Sequence, residues 1–108
     1  MGTAERVALN EDLFREVNER IKELAERFGD AGERCSFVCE CSDSGCAVQV
    51  ELTLTEYAAI RRHPRRFVAA PGHEDPHHER IVTRTDRYLV VEKNGEAGEI
   101  TERLDAAP

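Results

Sequence analysis

The chain has no tryptophan, one methionine and only six aromatic residues, four Phe and two Tyr, in 108 positions. Its core must therefore be built from Val, Ile, Leu and Ala, and a chain of this size buries only a little over ~60% of its unfolded surface. No apolar run exceeds a few residues, which excludes a membrane-spanning helix. The first thirty residues are charged and lack the apolar centre of a secretory leader, so the expected location is the cytoplasm. Internal repeats are absent, which excludes a solenoid. Cysteine is absent outside Cys35 to Cys46, so no disulfide framework spans the chain. Lysine is nearly absent as well, two against thirteen arginines, a bias we attribute to genome composition. Net charge is −7, and all of it belongs to residues 1–56, with 13 acidic and 6 basic groups, whereas residues 57–108 balance at 9 and 9. An acidic chain is a poor general ligand for nucleic acid or anionic membrane.

What is present is concentrated. The stretch Cys35-Ser-Phe-Val-Cys39-Glu-Cys41-Ser-Asp-Ser-Gly-Cys46 holds all four cysteines, and Ser42 to Gly45 can reverse the chain. Clustered cysteines in an intracellular chain point to metal or catalysis. Tetrahedral zinc needs its sulfurs about 3.8 Å apart, whereas same-face neighbours on a flat strand are roughly 6.6 Å apart. If Cys39 and Cys41 both ligate, the strand must end or bulge at them. Cys35 lies four extended residues, about 13 Å, from Cys39. Closing a longer loop through metal stabilises a small fold more, so the fourth ligand is sought far away, and His73 in the Pro71-Gly72-His73 turn is the best candidate. Cys35 is then a small buried hydrophobe on the face of Phe37, and a reserve ligand, with His77 as a second reserve. A disulfide from Cys35 or Cys39 to Cys46 is the alternative. One zinc per chain is expected, although a thiolate-rich tetrahedral site also accepts iron.

The string Phe37-Val38-Cys39-Glu40-Cys41, with Cys46, Leu52-Thr53, Glu56-Tyr57, Phe67, Pro71-Gly72-His73 and Tyr88 to Lys93, resembles a family of small uncharacterised bacterial proteins. It covers roughly residues 10–95. The resemblance implies a Cys3His site at Cys39, Cys41, Cys46 and His73, and implies no activity; Cys35 falls outside the pattern.

The remaining pattern reads as α+β: a small, largely antiparallel, metal-stabilised sheet, a long N-terminal amphipathic helix and short helices. A flexible segment 1–9 precedes one domain over 10–104, and 105–108 form a loose tail. Asn10 is the expected N-cap of a helix ending at Phe28, with Glu11 and Asp12 in its first turn. Phe14, Val17, Ile21, Leu24 and Phe28 recur at steps of three and four, widened by Leu13 and Ala25. The stripe packs on the sheet of its own chain or serves self-association or a protein partner, and the joint 29–32 permits either. Val48, Val50 and Leu52 alternate as a half-buried strand, Thr53 and Glu56 form a capping box, and His63-Pro64 stops the helix they open. Strands follow at 67–70, 81–84 and 88–92, the last apolar on both faces and hence central, with one helical turn over 76–79 between the first two and a final helix over 96–104.

Three further functions compete with a non-enzymatic zinc-binding module that acts as an adaptor or regulator through protein contacts. His73-Glu74-Asp75-Pro76-His77 matches the zinc-hydrolase signature H-E-x-x-H, but that chemistry needs a helix and Pro76 sits inside the motif. Zinc-bound thiolates could also act as a redox switch. Arg61, Arg62, Arg65 and Arg66 could meet nucleic acid phosphates, or form local pairs on a solvated surface; no aromatic platform interleaves them. No deaminase elements are present.

Overall fold

A computed structural model describes residues 3–28, 32–41, 43 and 45–106. The elements run α1 (Thr3–Phe28), β1 (Arg34–Val38), β2 (Gln49–Thr53), α2 (Leu54–Arg61), β3 (Arg66–Ala69), β4 (Glu79–Arg84), β5 (Leu89–Lys93) and α3 (Gly95–Ala106). The class is α+β, and the strands form two antiparallel sheets, β1-β2 and β3-β5-β4, where the sequence pattern suggests one.

β1 and β2 pair with Phe37 opposite Val50 and Cys35 opposite Leu52. In β2 the expected alternation holds for Val50 and Leu52, which are buried, and for Gln49 and Glu51, which are exposed, but Val48 precedes the strand and is 43% exposed. Thr53 then opens α2 by a capping box, its hydroxyl accepting from Glu56 N at 3.0 Å while Glu56 Oε1 accepts from Thr53 N at 2.8 Å. β5 occupies the middle of the second sheet, as its doubly apolar sequence requires. Its two faces feed separate cores. Val68 and Val90 join Phe37, Val50, Leu52, Leu54, Tyr57 and Ile60, whereas Phe67, Leu89 and Val91 pack together with Ile81. The Phe37 and Tyr57 rings stack at 4.5 Å between centroids.

The two sheets meet just past the end of β1. Cys39 N donates to Val48 O and Glu40 N to Val68 O, both at 2.8 Å, so the Cys39-Glu40 backbone bridges β2's approach and β3. This junction carries the cysteine group.

Further expectations change. The helix starts at Thr3, so 3–9 are helical and Asn10 lies inside α1 rather than capping it. Packing overrides the local cap: Ala8 is fully buried, and Leu9 lines a groove with Ile100 and Leu104 of α3. Likewise Asp105 belongs to α3, anchored by Arg61 Nη2 at 2.8 Å. Residues 29–31 of the expected joint lie outside the described residues; Gly32 sits in a turn.

The largest change concerns which side of α1 faces inward. Glu11, Arg15 and Asn18 are buried, while Leu13, Val17 and Leu24 are 57, 41 and 55% exposed. Of the expected stripe, Ile21 packs on the core with Ala25, and Phe14 is half-buried. The side chain of Phe28 lies outside the described residues. The inward face is polar because polar partners wait beneath it. Arg15 Nη1 donates to Pro64 O at 2.8 Å and its guanidinium stacks 4.4 Å over Phe67. Asn18 exchanges two 2.8 Å hydrogen bonds with the Val38 backbone, standing in for a neighbouring strand.

Candidate metal centre

Strand β1 ends at Val38, and with the strand geometry gone Cys39 and Cys41 can turn toward one point. Cys39 is 1% and Cys41 3% exposed. Past Cys41 the chain turns through Asp43, whose Oδ1 accepts from Gly45 N at 2.9 Å and whose carbonyl accepts from Cys46 N at 3.0 Å. From the other side comes the turn Ala70-Pro71-Gly72-His73. Proline presets its second position, Gly72 takes φ +86°, and His73 N closes it on Ala70 O at 3.0 Å. A side chain at position 72 would be strained by that φ.

The ligand atoms of Cys39, Cys41, Cys46 and His73 all lie within 4.8 Å of one another. His73 Nδ1 stands 3.7 Å from Cys39 Sγ and 3.6 Å from Cys46 Sγ. With Zn–S near 2.3 Å and Zn–N near 2.0 Å, tetrahedral angles demand an S···N separation of about 3.5 Å. The donor set and its spacing therefore fit a tetrahedral ion held through Nδ1. Ala70 N donates to Cys39 Sγ at 3.2 Å, a hydrogen bond suited to a thiolate.

Burial pushes the Cys39 and Cys41 thiols upward, and neighbouring thiols push Cys39 further. Without a cation they stay protonated near neutrality; a bound metal would displace those protons.

Compared with models of known families, with curated proteins and with solved structures, the chain matches none.

Neither reserve ligand joins the group. Cys35 is half-buried opposite Leu52 and packs against the main core, while His77 is exposed with its N–H on Asp75 Oδ1. The H-E-x-x-H match has no helix behind it: residues 73–75 are irregular and 76–78 form a turn. His73 and His77 thus lack the shared helical face on which that signature depends. Glu74 does line an open cleft of about 260 Å³ with Cys41, Asp43, Gly72 and His73. A tetrahedral ion with three sulfurs and one imidazole nevertheless has no open position for water.

The basic cluster is largely neutralised from within. Arg61 Nε meets Glu19 at 2.7 Å, Arg65 meets Glu102 at 2.5 Å, and Arg66 meets Glu92 at 3.3 Å. Arg62 is exposed and makes no ion pair among the described residues. Pairing on the protein's own surface is thus the reading the structure supports, with partners drawn from distant segments of the chain.

Two polar groups beneath the site escaped sequence reasoning. Glu40, between two of the cysteines, is fully buried. Its Oε2 accepts from Tyr57 OH at 2.7 Å and Asn18 Nδ2 at 2.9 Å, and its Oε1 from Val68 N at 2.9 Å. Burial raises its carboxyl pKa, against the pull of those donors. A signal existed, since side chains on either side of a position tend to point opposite to it: if Cys39 and Cys41 turn to the metal, Glu40 turns into the core. Lys93 is the second group, 1% exposed, pairing with Glu11 Oε2 at 2.5 Å and with Glu79. It shares the parity of Leu89 and Val91 on the central strand, an inward register legible in advance.

Proposed function

We propose that this protein is a zinc-binding module without an enzymatic activity of its own, an adaptor or regulator that works through protein contacts. The observation that carries the metal is the convergence of three cysteine sulfurs and one imidazole nitrogen within 4.8 Å. The same four residues are those implied by the resemblance to the small bacterial family. A closed tetrahedral donor set is the structural type of zinc site, in which the ion joins chain segments and leaves no position for substrate. Here it would tie the loop after β1 to the turn after β3, across the junction of the two sheets. For the contact role, support comes from α1, which turns Leu13, Val17 and Leu24 outward while burying Glu11, Arg15 and Asn18. Exposing the apolar side of a helix is the reverse of what a solvated face requires.

The test is metal content together with free-thiol titration on protein purified without added metal. One zinc per chain with three thiols protected is the expected result. No metal, with thiols lost in pairs under non-reducing conditions, would replace the metal centre by disulfides.

A further inference from the structure

A metal site in a small protein is either created by the ion, the ligands being disordered without it, or waiting for it. The bonds around the cysteine group decide between these. Every ligand except Cys41 has an anchor at ordinary hydrogen-bond length that involves no metal; the Cys41 sulfur's own contact, on Asp43 O, is long at 3.9 Å. Cys39 is held by its N–H on Val48 O and by Ala70 N on its sulfur, Cys46 by the turn on Asp43, and His73 by the turn on Ala70. For Cys41 the anchor lies one residue back. Glu40 fixes both its backbone, through its N–H on Val68 O at 2.8 Å, and its carboxylate, through Tyr57 OH, Asn18 Nδ2 and Val68 N.

These four bonds tie Glu40 to α1, α2 and β3 at once. All three carboxylate partners are donors, so the carboxylate satisfies them without needing an acceptor of its own. Val68 is bonded twice, its carbonyl by the Glu40 N–H and its own N–H by the Glu40 side chain, which prevents the segment from sliding or rotating. With residue 40 pinned inward, residues 39 and 41 are both turned the other way.

We propose that Glu40 is the positioning residue of the metal centre: its buried carboxylate holds Cys39 and Cys41 in ligating geometry before the ion arrives, so zinc enters a preformed site rather than folding one. This rests on the metal reading above and goes beyond it in making the ion a dissociable ligand of a folded protein. Outer-shell groups that orient ligands commonly contribute ~10–100-fold to metal affinity. Glutamine at 40 would turn its amide NH2 toward either Val68 N–H or the Tyr57 and Asn18 donors, setting donor against donor. Phenylalanine at 57 removes one donor and leaves the stack on Phe37.

The experiment strips zinc from the intact chain with a chelator under reducing conditions and follows near-ultraviolet circular dichroism and amide exchange. It then measures zinc Kd by competition for wild type, Glu40→Gln and Tyr57→Phe. Expected are a folded metal-free protein with slow exchange at the Glu40 and Val68 amides, and Kd rising ~10–100-fold in Glu40→Gln, with a smaller rise in Tyr57→Phe. If Glu40→Gln does not fold, Tyr57→Phe decides by the same readout. Unfolding of the wild type on chelation, rapid exchange at both amides, or an unchanged Kd in the folded variants would overturn the proposal. A wild type that binds no zinc, cobalt or iron at all would instead remove the metal reading on which it rests.

Discussion

Two glutamates, Glu40 and Glu11, are fully buried within the same small protein, and their surroundings are opposites. Around Glu40 three neutral donors point at two oxygens, and Arg15 adds a favourable charge nearby. Around Glu11 there is one ammonium, that of Lys93, which Glu79 shares. Oε1 of Glu11 has no hydrogen-bond partner among the described residues. Burial pushes Glu11 up to about 7 despite Lys93. Burial raises the pKa of both carboxyls, but the one surrounded by fixed dipoles is held in place by three donors, whereas the other has only a shared cation to hold it. The comparison teaches that burial alone does not set the role of an acid: the number of donors aimed at it does.

The most severe way to break the comparison is Lys93→Met, which leaves two buried carboxylates without their cation. Loss of one partner from a buried ionic group costs about 3–5 kcal/mol, and the urea midpoint at pH 8 should fall accordingly. Recovery of most of that loss at pH 5 would follow from proton uptake by Glu11. Next comes Glu40→Ala, which orphans the Tyr57, Asn18 and Val68 donors. With each unsatisfied buried group costing about 1–3 kcal/mol and some relaxation or water entry, a loss of about 3 kcal/mol is expected. Unlike the Lys93 variant it should not recover at acid pH, and a recovery there would erase the distinction.

Glu11→Gln sharpens it from the other side. The folded pKa, about 7, lies above the ordinary 4.5. The folded state therefore holds the proton more tightly, and Glu11's contribution is fully present below pH 4.5 and lost as pH rises through 7. Glutamine should flatten that part of the stability profile measured by denaturation between pH 4.5 and 8; an unchanged slope would assign the titration elsewhere.

Glu56 provides a third point, shifted in the opposite direction to the other two. Burial raises its pKa, but Thr53 N, Arg87 and the Tyr88 hydroxyl together outweigh it and bring it to about 2. Its stabilisation is present above pH 4.5 and lost as pH falls through 2. Thr53→Ala, which removes the other half of the capping box, should lower stability by about 1 kcal/mol in thermal melts. The smallest effect is expected at the outer face of α1. Leu13→Ser with Leu24→Ser should change monomer stability by no more than ~0.5 kcal/mol per site, because neither side chain is buried. A loss of several kcal/mol in melts would mean that this face is packed in solution.

Local rules were sufficient wherever the deciding neighbours were close in sequence. The capping box at Thr53 and Glu56, the alternation of β2, the central place of β5 and the α+β class were all legible, because caps and strand periodicity involve residues two or three positions apart. The end of β1 at the cysteines was legible for a different reason, since metal bond lengths are incompatible with a flat strand. Conversely, the start of α1 at Thr3 was not, because burial of Ala8 and the packing of α1 on α3 beside Leu9 displace a good local cap at Asn10.

The amino-acid sequence by itself determined which elements form and which four side chains could share an ion. It also determined that α1 has two unlike faces, for periodicity is a property of the chain. Which face turns inward was decided only by tertiary structure. A helical stripe records an angle about its own axis and nothing about what lies beneath, and here Val38, Glu40, Pro64, Phe67 and Lys93 offer partners to Asn18, Arg15 and Glu11 rather than room for Leu13 and Leu24. Arg61, Arg65 and Arg66 were settled in the same way, by Glu19, Asp105, Glu102 and Glu92 from distant segments. Charge and hydrogen-bond partners far apart in the chain become neighbours only when the sheets and helices close on one another.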